Sequence, residues 1–96
     1  MAVTLCVLLW ARLGKEVELA EYEDRVLAFL PDHGGRVLNR VRPVGGVAEP
    51  AEVHLIEFPD DAALEAYMVD ERRMALARER EAAIERTEIL RVNVVG

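Results

Sequence analysis

The order of strand-like and helix-like segments, β-α-β-β-α-β, predicts an α+β fold: a ferredoxin-like two-layer sandwich, helices packed on an antiparallel sheet. Two further observations point the same way. The first segment, 2–11, is apolar on both faces, the pattern of a central strand covered on both sides. And 52% of the 96 residues are hydrophobic, more than one small sandwich core takes up. A second copy of the chain, seated on the free face of the sheet, is the simplest outlet, so a homodimer is expected. The length gives one domain, 1–96.

Each element has its own grounds. In strand one, Val3, Leu5, Val7 and Leu9 point one way and Thr4, Cys6, Leu8 and Trp10 the other. Gly14-Lys15 ends the run. From Glu16 the period becomes helical, with Leu19, Tyr22, Val26, Phe29 and Leu30 on one stripe. Acidic residues crowd the start of this helix, where its dipole favours them, and Pro31 stops it. Asp32-His33-Gly34-Gly35 is the turn after the helix. Arg36–Arg42 reads as a second strand near a sheet edge, with Arg36, Leu38, Arg40 and Arg42 on one face. A loop, Pro43–Pro50, leads to a third strand, Glu52–Phe58.

Pro59-Asp60-Asp61 opens the second helical region, with Asp60 or Asp61 as N-cap. Leu64, Tyr67 and Met68 form one stripe there, and Leu76, Ala83 and Ile84 a later one. Leu64 and Leu76 lie about 120° apart on a straight helix, so a break near Asp70-Glu71 is expected, with Asp70 capping the second half. Thr87–Val95 completes the sheet as a fourth strand.

Charge and cysteine count narrow the function classes. Lys and Arg number 12 against 18 Asp and Glu, a net charge of −6, which disfavours nucleic-acid binding. One cysteine, Cys6, leaves no intramolecular disulfide and no zinc spacing. The apolar run Val3–Trp10 is too short to span a bilayer and lacks signal-peptide flanks, so no membrane association is expected and the chain is read as cytoplasmic. His33 and His54 lie on different elements without acidic partners at ligand spacing, so neither metal nor haem nor any other cofactor is expected.

Three stretches carry a resemblance: His33-Gly34-Gly35-Arg36, Ile56-Glu57-Phe58-Pro59, and Tyr67-Met68-Val69-Asp70-Glu71-Arg72-Arg73. Together they resemble an uncharacterised family of the dimeric α/β barrel superfamily, of the domain of unknown function 1330 type. Its members share an HGGR-like turn, an EFP-like strand end and a helix break after an aromatic. The family's Trp-Tyr and Ser-Pro at the break are replaced here by Tyr67-Met68 and Asp70-Glu71. The resemblance implies a dimeric α/β barrel and no specific activity. The wider superfamily includes cofactor-free monooxygenases, isomerases, haem enzymes and stress-response barrels, and fold alone does not choose among them.

Two readings are open. In the first the protein is a cofactor-free small-molecule enzyme or binder, monooxygenase- or isomerase-like, with a pocket between sheet and helices. Glu57, a carboxylate among apolar neighbours, is then the general base. His33 or Arg40 is its polar partner, Arg36 and Arg40 bind an anionic substrate, and Trp10 and Tyr67 wall the pocket. In the second the protein is a non-catalytic dimeric or stress-response module. Glu57 then pairs with an arginine of strand two, Arg40 or Arg42 being nearest, and His54 is a histidine at the core edge.

Overall fold

The computed structural model describes residues 1–46 and 48–96. Four strands, β1 (Val3–Ala11), β2 (Arg36–Val41), β3 (Glu52–Phe58) and β4 (Ile84–Arg91), form one antiparallel sheet in the order β2-β3-β1-β4. The helices α1 (Glu16–Leu27), α2 (Asp61–Met68), α3 (Glu71–Met74) and α4 (Ala77–Ala83) all lie over one face. This is the ferredoxin-like α+β sandwich. Among the described residues no helix is long and apolar enough to cross a membrane.

Strand alternation sorts side chains between a covered and an open face. Val3, Leu5, Val7 and Leu9 of β1 are buried under the helices with Ile56 and Phe58 of β3. Leu19, Tyr22, Val26 and Leu30 come down on them from the α1 side, Tyr67 and Leu76 from the second helical region. On the open face, Cys6, Leu8, Val53 and Leu55 are only half-buried, and Val41 and Leu90 are 51% and 56% exposed.

Several boundaries differ from the sequence reading. Helix α1 ends at Leu27, and Pro31 sits inside a separate 3-10 turn, Leu30–His33. Strand β4 begins at Ile84, directly after α4, because Ile84 pairs with Ala11 and buries its side chain there. It ends at Arg91, opposite Leu5, since β1 has little length left to pair with. In β2 the register shifts between Val37 and Asn39. The shift puts Arg36 opposite Glu57 on the open face and Arg40 opposite His54 on the covered face. The expected single row of Arg36, Arg40 and Arg42 is therefore corrected: a bulge changes the alternation that placed them together. The break in the second helical region falls where charge and spacing put it. Asp60 caps α2 through Ala63 N at 2.8 Å, and Asp70 caps α3 through Arg72 N at 2.9 Å.

Candidate functional site

The covered face of β3 carries two polar residues into the core. Glu52 and His54 are each 1% exposed, and alternation sets them in line with Ile56 and Phe58. Glu23, 6% exposed, joins them from α1, four residues after Leu19 on the same apolar stripe. His54 Nε2 lies 2.7 Å from Glu52 Oε1, and His54 Nδ1 lies 3.7 Å from Glu23 Oε1. Arg40 donates to both Glu52 oxygens, Nε to Oε1 at 2.8 Å and Nη2 to Oε2 at 3.1 Å, and Arg42 Nε adds a bond at 3.0 Å. Arg40 is itself held by Asp24 and by the Ala20 carbonyl of α1. The result is a chain running from the β2 edge into the sandwich: two arginines, Glu52, His54, Glu23.

Its members titrate differently. Burial works against the Glu52 carboxylate, but the hydrogen bonds from Arg40, His54 and Arg42 prevail and hold it below the usual range. Burial depresses His54, against the opposing hydrogen bond to Glu52, so the imidazole stays neutral at pH 7. Glu52, being ionised, only accepts. The single imidazole proton therefore sits on Nε2, and Nδ1 presents a lone pair toward Glu23. Burial, then the nearby Glu52 charge, pushes Glu23 up to about 7. A buried carboxyl that titrates near neutrality faces an imidazole oriented by a second carboxylate, a set suited to moving a proton.

Glu23 and His54 line a small space of 70 Å³ between sheet and helices, together with Tyr67, Arg73, Arg80 and Thr87. It meets two larger ones. A groove of 800 Å³ between α2 and β4 is almost wholly apolar and shares Leu5, Leu64, Met68 and Ile89 with it. A mouth of 250 Å³ among the helices shares Met68, Arg73 and Arg80 and adds Tyr22.

The stretches singled out in the sequence meet elsewhere, at one joint between the layers. His33 Nε2 contacts Asp70 Oδ2 at 2.7 Å, and its ring stands edge-on to Tyr67, centroids 6.0 Å apart. Gly34 has φ +70°, and a Cβ there would lie 3.1 Å from Pro59 Cγ. A Cβ on Gly35 would meet Leu30 and Phe58 at 3.0 Å. Arg36 Nε donates to Glu57 Oε1 at 3.1 Å. Arg72 joins Asp70 to Asp32 and lies over the Phe29 ring, 4.4 Å from its centroid.

The model of the family described as domain of unknown function DUF1330 matches residues 7–94. The chain belongs to this family. Solved structures agree on the fold. A Pseudomonas aeruginosa protein, PA3566, is 21% identical with a TM-score of 0.76 and coverage of 99% of this chain and 95% of its own. A Bacteroides fragilis protein, described as dimeric, of unknown function and ferredoxin-like, is 12% identical with a TM-score of 0.73, covering 97% and 96%. A dabb family protein with a ferredoxin-like fold from Mesorhizobium loti is 16% identical, TM-score 0.69, covering 99% and 98%. No curated protein matches.

In this DUF1330 chain the candidate residues from the sequence are dispersed. Glu57, paired with Arg36, and Trp10 are on the open face, away from the space between sheet and helices. They are at opposite ends of it: Thr4, not Trp10, is the β1 residue opposite Glu57. Six residues of strand, roughly 20 Å, separate Thr4 from Trp10. Trp10 donates Nε1 to the Ala48 carbonyl at 3.1 Å, beneath the Arg86 guanidinium. Tyr67 does wall the inner space, with its hydroxyl donating to Val26 O at 3.0 Å. Arg40 serves Glu52 rather than Glu57, and His33 serves Asp70. Glu23, Glu52, Arg73 and Tyr22 are not among the site residues that the sequence proposes. Period and alternation carried the signal: Glu23 falls on the stripe of α1, and Glu52 in line with His54, Ile56 and Phe58.

Proposed function

We propose that the protein is a cofactor-free small-molecule enzyme of the proton-transfer, isomerase-like kind, working as a homodimer from the space between sheet and helices. The observation that carries the chemistry is Glu23: a carboxyl 6% exposed, lining that space, 3.7 Å from an imidazole whose other nitrogen is bound to Glu52. Glu23 accepts or delivers the substrate proton beside His54, whose ring is oriented by Glu52. The dimer reading is supported by the apolar open sheet face and by the description of the Bacteroides fragilis neighbour as dimeric. Glu57 and Arg36 then form an ion pair within the dimer barrel.

The test is hydrogen–deuterium exchange at carbon. Wild type and Glu23→Gln are incubated in D2O with a panel of small enolisable ketones and 1,3-dicarbonyl compounds and followed by proton NMR. The expected result is exchange of at least one compound above the buffer rate, falling by roughly 10²- to 10⁴-fold in the variant. The dimer and fold should be unchanged. If no compound exchanges, or if exchange survives in Glu23→Gln, the buried chain is structural and the protein is a non-catalytic dimeric module.

A further inference from the structure

The mouth among the helices holds donors that no described residue satisfies. Tyr22 is 3% exposed, and its hydroxyl is buried without a hydrogen-bond partner. Arg73 Nε is likewise buried and unpartnered, although its guanidinium is fixed by the Met68 carbonyl at 3.3 Å and by the Tyr67 ring. Arg80 bonds the Thr87 hydroxyl, at 3.2 Å. Among the described residues neither Arg73 nor Arg80 pairs with a carboxylate, although the chain has six more acidic than basic residues. Leaving such donors buried and unmet costs free energy comparable to a lost hydrogen bond. Two guanidinium groups and a phenol around one space make a receptor for a planar anion, which accepts from all three.

The surroundings define the rest of the ligand. Met68 lines the mouth, the inner space and the apolar groove alike. The groove beyond it is walled by Leu5, Leu64, Val69 and Ile89, of which Val69 is 67% and Ile89 49% exposed. An anionic head held at Arg73 and Arg80 therefore has an apolar track leading away from it, with Glu23 beside the path. Glu23 is mostly neutral below pH 7 and does not repel the head there.

We infer that the site takes a small amphipathic carboxylate, its head on Arg73, Arg80 and Tyr22 and its apolar chain running past Met68 into the α2–β4 groove. This deepens the proposed function by naming its substrate class, yet it rests on different side chains, and binding does not require proton transfer.

The experiment uses the full chain at pH 6 and a series of linear carboxylates from butanoate to octanoate. 1-Hexanol and hexylamine serve as controls of equal length. Binding is followed by ¹⁵N-resolved NMR at the Arg73 Nε–H signal and by calorimetry. Affinity should rise about three- to four-fold per added methylene, and the Arg73 signal should move. The alcohol and the amine should bind at least ten-fold more weakly than hexanoate. Arg73→Gln and Arg80→Gln should each weaken hexanoate at least ten-fold; using both keeps the test valid if one variant fails to fold. Met68→Trp should block octanoate more than butanoate. Glu23→Gln should still bind, so a failed exchange assay and a failed binding assay mean different things. Equal affinity for hexanol and hexanoate overturns the inference. So does an affinity indifferent to both arginines, or one with no dependence on chain length because a second copy fills the groove.

Discussion

Replacing Glu23 by glutamine isolates the energetic consequence of burying a carboxyl. The amide has nearly the shape of the neutral acid and keeps the same 3.7 Å approach to His54 Nδ1 without a charge. Wild type differs only where Glu23 must ionise. The group rises from an ordinary value of 4.5 to about 7 in the folded chain. Below pH 4.5 it is protonated in both folded and unfolded states and contributes fully. Between 4.5 and 7 the unfolded chain releases the proton and the folded one retains it, so wild-type stability falls as pH rises. At about 1.4 kcal/mol per pH unit, the fall totals about 3 kcal/mol by the time pH passes 7. Glu23→Gln lacks this loss. Urea unfolding at fixed protein concentration, from pH 4.5 to 8.5, should show the two proteins close at the acid end. The variant should be more stable by about 3 kcal/mol at pH 8. His54, whose pKa burial holds down, adds an acid-side dependence of opposite sign that both proteins share. Parallel stability curves, or a variant weaker at pH 8, would refute the reasoning.

Three other perturbations test other parts of the structure. Leu55→Glu puts a charge in the middle of the open face, and light scattering at micromolar concentration should show wild-type dimer become folded monomer; a variant that stays dimeric removes that face as the interface. Gly35→Ala should lower stability by about 1–3 kcal/mol, because its new methyl meets Phe58 and Leu30 at 3.0 Å, while Gly46→Ala, with no contact within 4 Å among the described residues, should be near neutral in the same thermal melts. Asp70→Asn should flatten the acid limb of the stability curve: Arg72, then His33, hold the Asp70 carboxyl below its ordinary 3.8, so its contribution is present above that value and is lost as pH falls. An unchanged acid limb would mean that the ion pairs at Asp70 contribute nothing measurable.

The sheet and its partition into two faces were legible because period-two alternation in β1 and β3 depends only on neighbours along the chain. The helix break at Asp70 was legible for a similar reason: stripe geometry and a capping residue are local. The β2 bulge was not, since nothing in Arg36–Arg42 announces a register shift, and it alone moved Arg36 away from Arg40. The start of β4 was missed because Ala83-Ile84 continues a helical stripe equally well, and pairing with Ala11 decides the matter. The polar chain of the core was half legible. Glu23 falls on the apolar stripe of α1, but an acidic residue among acidic residues reads as solvated until its neighbours across the layer are known. Arg73 and Arg80 became candidates only when the fold showed what they lack.

The joint of His33, Gly34, Gly35 and Arg36 with Asp70, Pro59, Phe58 and Glu57 has a consequence for how relatives are sorted. Each of these residues meets a counterpart across the joint, with Gly35 touching Leu30 as well as Phe58 and Asp70 holding Arg72 as well as His33, so a change in one bears directly on the fit of the other. A bulkier side chain at position 35 asks for a smaller one at 58, and loss of the carboxylate at 70 releases the imidazole at 33. Chains grouped by these motifs are thus grouped by how their layers are fastened. Tyr22, Glu23, Arg73 and Arg80 take no part in those paired contacts. Members that share the fastening but differ at those positions should accept different molecules.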